Sequence, residues 1–269
     1  SNLSIDNSTP GQFIIDVTPT KTNGVVTTSS VDNLKTIMSN KIVNWENVFN
    51  HTSEFQSRKP AKWAFIEEFF DRKFYEKLHN SYPEWDDTWG KKTGFDKNSN
   101  YKMWNDKEPN DILDKFVEDS RFSDAWNEFY RYIDSEEFAN RMREFSGMPV
   151  NRLKHFSFSY MRKGGFQLAH IHNVGPSTLI MMLYFSKNWK DGDPGGTYIS
   201  TEEDESTMIF EPYNLDNSVM IFQDGPNAGH GVRPIEKDVE RKAVQVYLEE
   251  FSEKDGWSGT KAKNELVEL

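Results

Sequence analysis

The feature that most limits how this chain can fold is the unbroken apolar run Leu179-Ile-Met-Met-Leu-Tyr-Phe185, preceded by Gly175-Pro176 and followed by Ser186-Lys187. A strand with one wet face alternates apolar and polar residues. A short run without alternation, bounded by turn residues, suits a strand buried on both faces. Such a strand needs cover on each side, so at least two layers must enclose it. The text around it is also written in strands. Phe156, Phe158 and Tyr160 alternate with His155, Ser157 and Ser159, and Gly164-Gly165 turns the chain into Gln167–Asn173. With Thr197–Ser200, Thr207–Glu211, Ser218–Gln223 and Arg241–Glu250 there are at least seven short strands separated by Gly, Pro and Asp. That texture indicates a sandwich or barrel.

Upstream the period changes to helical. Asp71 can cap a helix running to about His79, with Pro83 as its stop. Ser123 opens a second helix, in which Trp126, Phe129, Tyr130 and Ile133 fall at i, i+3, i+4 and i+7 and form a core-facing stripe. Ser135 opens a third, with Phe138, Met142 and Phe145 inward and Gly147 at its end. Trp63–Phe70 reads as a buried edge strand. Segment 84–110 reads as a loop whose Trp85, Trp89 and Trp104 either line a substrate mouth or simply pack. The expected organisation is a polar N-terminal extension over 1–58, a mainly helical support region over 59–150, a β core over 151–252 and a charged tail over 253–269. Within the extension, Phe13–Val17 suits one short strand and Val31–Met38 a short helix.

Composition narrows the function. The chain has 269 residues, of which 36% are hydrophobic, including 20 Phe and 8 Trp, enough for a substantial core. Its net charge of −11 argues against nucleic acid or an anionic membrane surface as a partner, because both select basic surfaces. There are no cysteines, so disulfides and thiolate metal sites are excluded. Their absence fits a reducing compartment, and the expected location is the cytoplasm. No apolar run is long enough to span a membrane, and the first residues lack a signal-peptide pattern.

Only six histidines are present, and two of them, His170 and His172, stand two residues apart in Gln167-Leu-Ala-His-Ile-His-Asn173. In an extended strand they point to one face and can grip one metal ion. A third, His230, lies in Gly229-His-Gly-Val-Arg-Pro234, and Arg241 follows eleven residues later at the head of the alternating run Arg-Lys-Ala-Val-Gln-Val-Tyr-Leu. On that strand Arg241 shares a face with Ala243, Gln245 and Tyr247. Either an anionic ligand or a structural Asp or Glu must compensate it if it turns inward. Asp191-Gly-Asp193-Pro-Gly-Gly lacks the further ligands of a calcium loop and reads as a hairpin turn.

These motifs resemble the iron(II)/2-oxoglutarate-dependent dioxygenases over about residues 150–252. That family carries His-x-Asp, a distal His and a following Arg. Tyr160–Asn173 resembles its lead-in to the first ligand, Leu183–Trp189 with Gly195-Gly196-Thr197 its central segment, and His230 to Pro234 its distal ligand. Two positions depart from the pattern: His172 replaces the usual carboxylate, and Ala243 stands where many members have Ser or Thr. The resemblance implies an α+β fold with a mainly β core, a double-stranded β-helix (jelly roll) with the N-terminal helices packed on one side. It implies iron(II) held by His170, His172 and His230, and 2-oxoglutarate held at its distal carboxylate by Arg241, with Tyr160 and Tyr184 as the nearest hydroxyls and Arg233 as a rival anion ligand. O2 completes the set. The reaction implied couples decarboxylation of 2-oxoglutarate to hydroxylation of a small molecule or peptide side chain. Two alternatives stay open: a cupin-like three-histidine metalloenzyme that does not use 2-oxoglutarate, and a jelly-roll binding protein without turnover.

Overall fold

The computed structural model describes residues 42–106, 116–173 and 177–251, together with two short N-terminal strands, β1 (Ser4–Asp6) and β2 (Ile14–Asp16), which pair antiparallel. The helix expected over 31–38 and the tail from 253 lie outside the described residues. Helices α1 (Trp45–Phe49) and α2 (Thr52–Ser57) bury Trp45, Val48 and Phe55, so residues 42–57 pack onto the body of the fold. Strand β3 (Trp63–Glu67) and helix α3 (Arg72–Asn80) follow, and then the hairpin β4 (Gly90–Thr93) and β5 (Lys97–Met103). Helices α4 (Asp124–Ile133) and α5 (Glu136–Ser146) complete the support layer. The rest is β6 (Arg152–Met161), β7 (Phe166–His170), β8 (Thr178–Phe185), β9 (Tyr198–Ser200), β10 (Met208–Phe210), β11 (Asp216–Gln223), β12 (Gly229–Val232) and β13 (Arg241–Glu249).

The helices begin and end where their caps dictate. The Asp71 carboxylate accepts from the Phe74 amide, Ser123 Oγ from the Trp126 amide and Ser135 Oγ from the Phe138 amide, each meeting one of the amides that a helix start leaves unpaired. Gly147 ends α5 at φ 68°, a left-handed conformation that costs glycine least.

Strands β10-β9-β12-β7-β5-β6-β13-β8-β11-β3 form one antiparallel ribbon, with β4 attached to β5. The two ends of the ribbon meet: the Phe210 ring of β10 stacks on Trp63 of β3 at 4.7 Å and contacts Phe65 at 5.5 Å. The sheet is therefore curled on itself into a jelly roll. The run from Leu179 to Phe185 does what its lack of alternation demands. Leu179, Met181, Leu183 and Phe185 enter the core under the helices, while Ile180, Met182 and Tyr184 enter a second cluster inside the curl. β13 pairs with both β6 and β8. Val244, Val246 and Leu248 join the helix-side core, and Ala243 joins the inner cluster. Each large apolar side chain removed from water contributes roughly 1.5–3 kcal/mol, so this two-faced burial holds β8 and β13 as fixed walls for the interior.

Segment 84–110 differs from the loop expectation, because its hairpin extends the sheet beside β6 and β7. Lys97–Met103 carries no apolar alternation, and its pairing with β6 is what makes it a strand. Trp89 and Trp104 are buried, and Trp85 stacks on Tyr160 at 5.4 Å. These tryptophans pack on the helix side rather than around a mouth. No helix among the described residues is long and apolar enough to cross a membrane.

Candidate active site

The jelly roll encloses a cavity of about 470 Å³ that His170, His172, His230 and Arg241 all line. His170 ends β7, and β12 runs beside it in a register that sets His230 opposite His170, with ring centroids 4.1 Å apart. β12 fits between β7 and β9 only because glycines flank the histidine. A Cβ on Gly231 would lie 2.5 Å from Tyr198 Oη and 2.7 Å from the Gln167 carbonyl, and one on Gly229 would lie 2.4 Å from Ser200 Oγ. His172 does not share a continuous strand with His170, because β7 stops at His170. Its ring nevertheless turns to the same centre, 4.9 Å from His170 and 5.0 Å from His230.

The hydrogen bonds of these rings define their free nitrogens. His170 Nδ1 faces the Leu168 carbonyl at 3.0 Å, His230 Nδ1 the Ala228 carbonyl at 3.0 Å, and His172 Nδ1 the Asp224 carboxylate at 2.9 and 3.0 Å. A carbonyl or a carboxylate can only accept here, so each Nδ1 carries a proton and Nε2 is the ring nitrogen left for a ligand. One ligand atom from each of the three histidines lies within 4.8 Å of the other two. Burial pushes His170 below the usual imidazole range. For His230 burial, with the charge of His170 beside it, pushes the value down to about 3. These two rings are therefore neutral near neutral pH, the form that binds a metal. Three imidazole nitrogens converging on one centre suit a divalent transition metal.

Arg241 opens β13 opposite Met161 of β6. It is 1% exposed. Its Nε donates to the Gly195 carbonyl at 2.8 Å, Nη1 to Ser159 Oγ at 3.3 Å and Nη2 to Thr197 Oγ1 at 3.2 Å. Among the described residues no carboxylate forms an ion pair with it, so the structural partner considered above is not what compensates it. Burial accordingly lowers its pKa from the usual guanidinium value. Arg233, the rival anion ligand, is occupied: its Nε and Nη2 form a fork onto the Glu211 carboxylate.

The two tyrosines separate. Tyr184 lies inside, its ring centroid 5.5 Å from the Arg241 guanidinium carbon and its hydroxyl accepting from the Thr197 amide at 2.8 Å. Tyr160 lies outside. In the β6–β13 register it pairs with Lys242, one residue off the Arg241–Met161 pair, so its side chain leaves through the opposite face. There it packs on Trp85 and Trp89, and burial pushes its hydroxyl up to about 12. The expectation that Tyr160 helps hold a carboxylate is corrected accordingly.

Sequence reading missed Ser159, Thr197 and the Gly195 carbonyl around Arg241, and Asp224 behind His172. Gly195 approaches Trp189 so closely that a Cβ would lie 2.3 Å from its ring, which explains the Trp…Gly-Gly-Thr spacing. Asp193 meets Lys237 Nζ at 2.7 Å and the Lys190 amide at 3.1 Å, as a turn residue does.

No protein-family model matches the sequence, and no curated protein matches it. Solved structures do match the fold. A prolyl-4-hydroxylase from Pseudomonas putida superimposes with a TM-score of 0.51 at 11% identity, covering 76% of this chain and 98% of that one. A prolyl hydroxylase from Trichoplax adhaerens, solved in complex with a hypoxia inducible factor oxygen degradation domain peptide fragment, gives 0.51 at 10% identity, covering 91% and 98%. The chain thus has the double-stranded β-helix fold seen in these prolyl hydroxylases, with three convergent histidines and a buried arginine in its interior.

Proposed function

We propose that this protein is a non-haem iron(II)/2-oxoglutarate-dependent oxygenase that hydroxylates an unactivated C–H bond of a small molecule or a peptide side chain. Arg241 is the observation that carries the reading. A guanidinium buried without an anion is costly, and this one lines the same cavity as three metal-competent imidazoles. 2-Oxoglutarate matches both features, with a 2-oxo acid for the metal and a second carboxylate for the arginine. His170, His172 and His230 would hold the iron. Bound iron(II) with O2 supplies the oxidation, in which 2-oxoglutarate becomes succinate and CO2 and one oxygen atom goes to each of succinate and the substrate.

The chain's own groups bind and orient. Arg241 Nη1 and Nη2 present a fork to the distal carboxylate. The Gly195 carbonyl, Ser159 and Thr197 accept from the guanidinium and fix its plane, while the Tyr184 hydroxyl holds the Thr197 amide. Ile180, Met182, Phe222 and Val232 wall the cavity with apolar surface and exclude water from the reacting region. At the mouth Phe95 is 91% exposed and Leu168 is also exposed, an apolar rim suited to a substrate with apolar surface. The peptide in the Trichoplax complex supports a peptide or small-molecule substrate, and the net charge of −11 supports a substrate other than nucleic acid.

The test titrates 2-oxoglutarate into manganese(II)-loaded protein and measures succinate release with iron(II), O2 and a panel of small molecules and peptides. The reading requires metal-dependent, saturable 2-oxoglutarate binding and succinate release stimulated by one substrate class. Metal binding without 2-oxoglutarate binding would favour the cupin-like enzyme. Binding of neither would leave a jelly-roll protein without turnover.

A further inference from the structure

The three histidines are not equivalent. His170 and His230 each give the Nδ1 proton to a neutral backbone carbonyl two residues earlier in the chain. His172 gives its proton to a carboxylate. That carboxylate belongs to Asp224, which is 5% exposed and directly follows β11. Its backbone is pinned by the amide bond to the Thr178 carbonyl at 2.9 Å, and its Oδ1 also accepts from the Gly225 amide at 3.0 Å. Among the described residues no Lys or Arg forms an ion pair with it, and His172 is its one ion-pair partner. A buried carboxylate is expensive without compensation. A metal ion on the far side of the His172 ring would supply that compensation through the ring.

His172 is also the residue that occupies the family's carboxylate position. Three neutral imidazoles leave a divalent ion one negative charge short of the usual set, and Asp224 stands one ring further out with that charge. We infer that Asp224 is a positioning residue that returns the missing negative charge to the metal centre through His172. A carboxylate behind a ligating imidazole fixes its tautomer, aims Nε2 and makes it a stronger donor. This inference rests on the metal-site reading above. It adds that the charge of the ligand set is conserved while its location has moved.

The test is a double-mutant cycle on metal affinity. Asp224→Asn keeps the shape and one acceptor oxygen and removes the charge, whereas His172→Asp returns a carboxylate to the position beside the metal. Manganese(II) and iron(II) dissociation constants would be measured by calorimetry for the parent, the two single variants and the double variant. The d–d absorption of cobalt(II)-loaded protein would serve as a second readout of the ligand field, and the thermal midpoint of the metal-free protein would control for folding. Removing such an outer partner costs about 10- to 100-fold in metal affinity. That loss, with a shifted cobalt spectrum, is expected for Asp224→Asn in the parent, and no loss is expected when His172→Asp is already present.

Equal losses in both backgrounds would make Asp224 a structural anchor for 171–173 and overturn the inference. So would an unchanged affinity and spectrum in the single variant. A parent protein that binds no divalent metal would overturn the metal-site reading along with this one. A parent that binds metal but not 2-oxoglutarate would overturn the proposed cosubstrate and leave the Asp224 cycle fully readable.

Discussion

Arg241→Met separates a binding arginine from a structural one. The substitution keeps length and apolar bulk and removes the charge. In the protein without cosubstrate, three contacts are lost, to the Gly195 carbonyl at 2.8 Å and to the Ser159 and Thr197 hydroxyls at 3.3 and 3.2 Å. Hydrogen bonds of a charged donor contribute about 1.5–3 kcal/mol each at good geometry, and two of these are long. Against them stands the desolvation of a fully buried guanidinium, several kcal/mol with no anion to offset it. The terms are of similar size, so the free protein should be as stable as the parent or more so. Cosubstrate binding should behave differently. Breaking one side of a buried charge pair costs about 2–5 kcal/mol, a loss of roughly 30- to 5,000-fold in 2-oxoglutarate affinity. At 100 times the parent's dissociation constant, 2-oxoglutarate adds about 2.7 kcal/mol to the parent and about 0.9 kcal/mol or less to the variant. Thermal unfolding of the manganese(II) forms with and without 2-oxoglutarate reads both effects together. A variant that unfolds well below the parent yet is stabilised by 2-oxoglutarate as much as the parent would refute the binding role and make Arg241 a structural residue.

Three further outcomes are expected. His230 is held neutral down to about pH 3 in the folded protein but takes its proton near 6.5 when unfolded. The unfolded chain therefore binds more protons between those values, and metal-free protein loses stability as pH falls from about 6.5 to 5, by up to about 1.4 kcal/mol per pH unit per such group. His170 acts in the same direction. His230→Gln should flatten the slope in thermal scans, and an unchanged slope would show that His230 does not set it. Gly231→Ala places a Cβ 2.7 Å from the Gln167 carbonyl, so β12 must shift away from β7. A cost of about 1–3 kcal/mol with weakened metal binding is expected, and parental values of both would contradict the close packing described. His172→Asp should retain iron(II), as judged by metal content after desalting, because the same backbone then offers a carboxylate to the same ion. Loss of the metal would mean that this position cannot deliver a ligand.

How far the sequence reached depended on whether the signal was local. The uninterrupted Leu179–Phe185 run revealed a doubly covered strand because its own residues carry the pattern. Asp71, Ser123, Ser135 and Gly147 marked helix ends because a cap acts within three or four residues. The β4–β5 hairpin was illegible, since Lys97–Met103 is polar throughout and becomes a strand only by pairing with β6 and β7. Tyr160 was legible as one side of an alternating strand, but alternation does not say which side faces the cavity. The β6–β13 register decides that, and it is a long-range fact. Asp224 reads as the first residue of an Asp-Gly-Pro turn, and 52 residues separate it from His172. Only the curl of the sheet, closed by Phe210 against Trp63 and Phe65, brings such positions together. The histidines and Arg241 stand out in the sequence because few side chains combine metal or anion chemistry with such spacing, and the family resemblance marks the same positions.

On the proposed reading, His170, His172, His230 and Arg241 form one site for a metal and a 2-oxo acid. A crystal structure of the manganese(II)- and 2-oxoglutarate-loaded protein tests it most directly. The expected result is Nε2 of all three histidines at about 2.0–2.2 Å from a single ion and a carboxylate of 2-oxoglutarate on the Arg241 guanidinium. A His172 nitrogen beyond about 3 Å from the ion, where no coordinate bond exists, or a 2-oxoglutarate carboxylate bound away from Arg241, would contradict it.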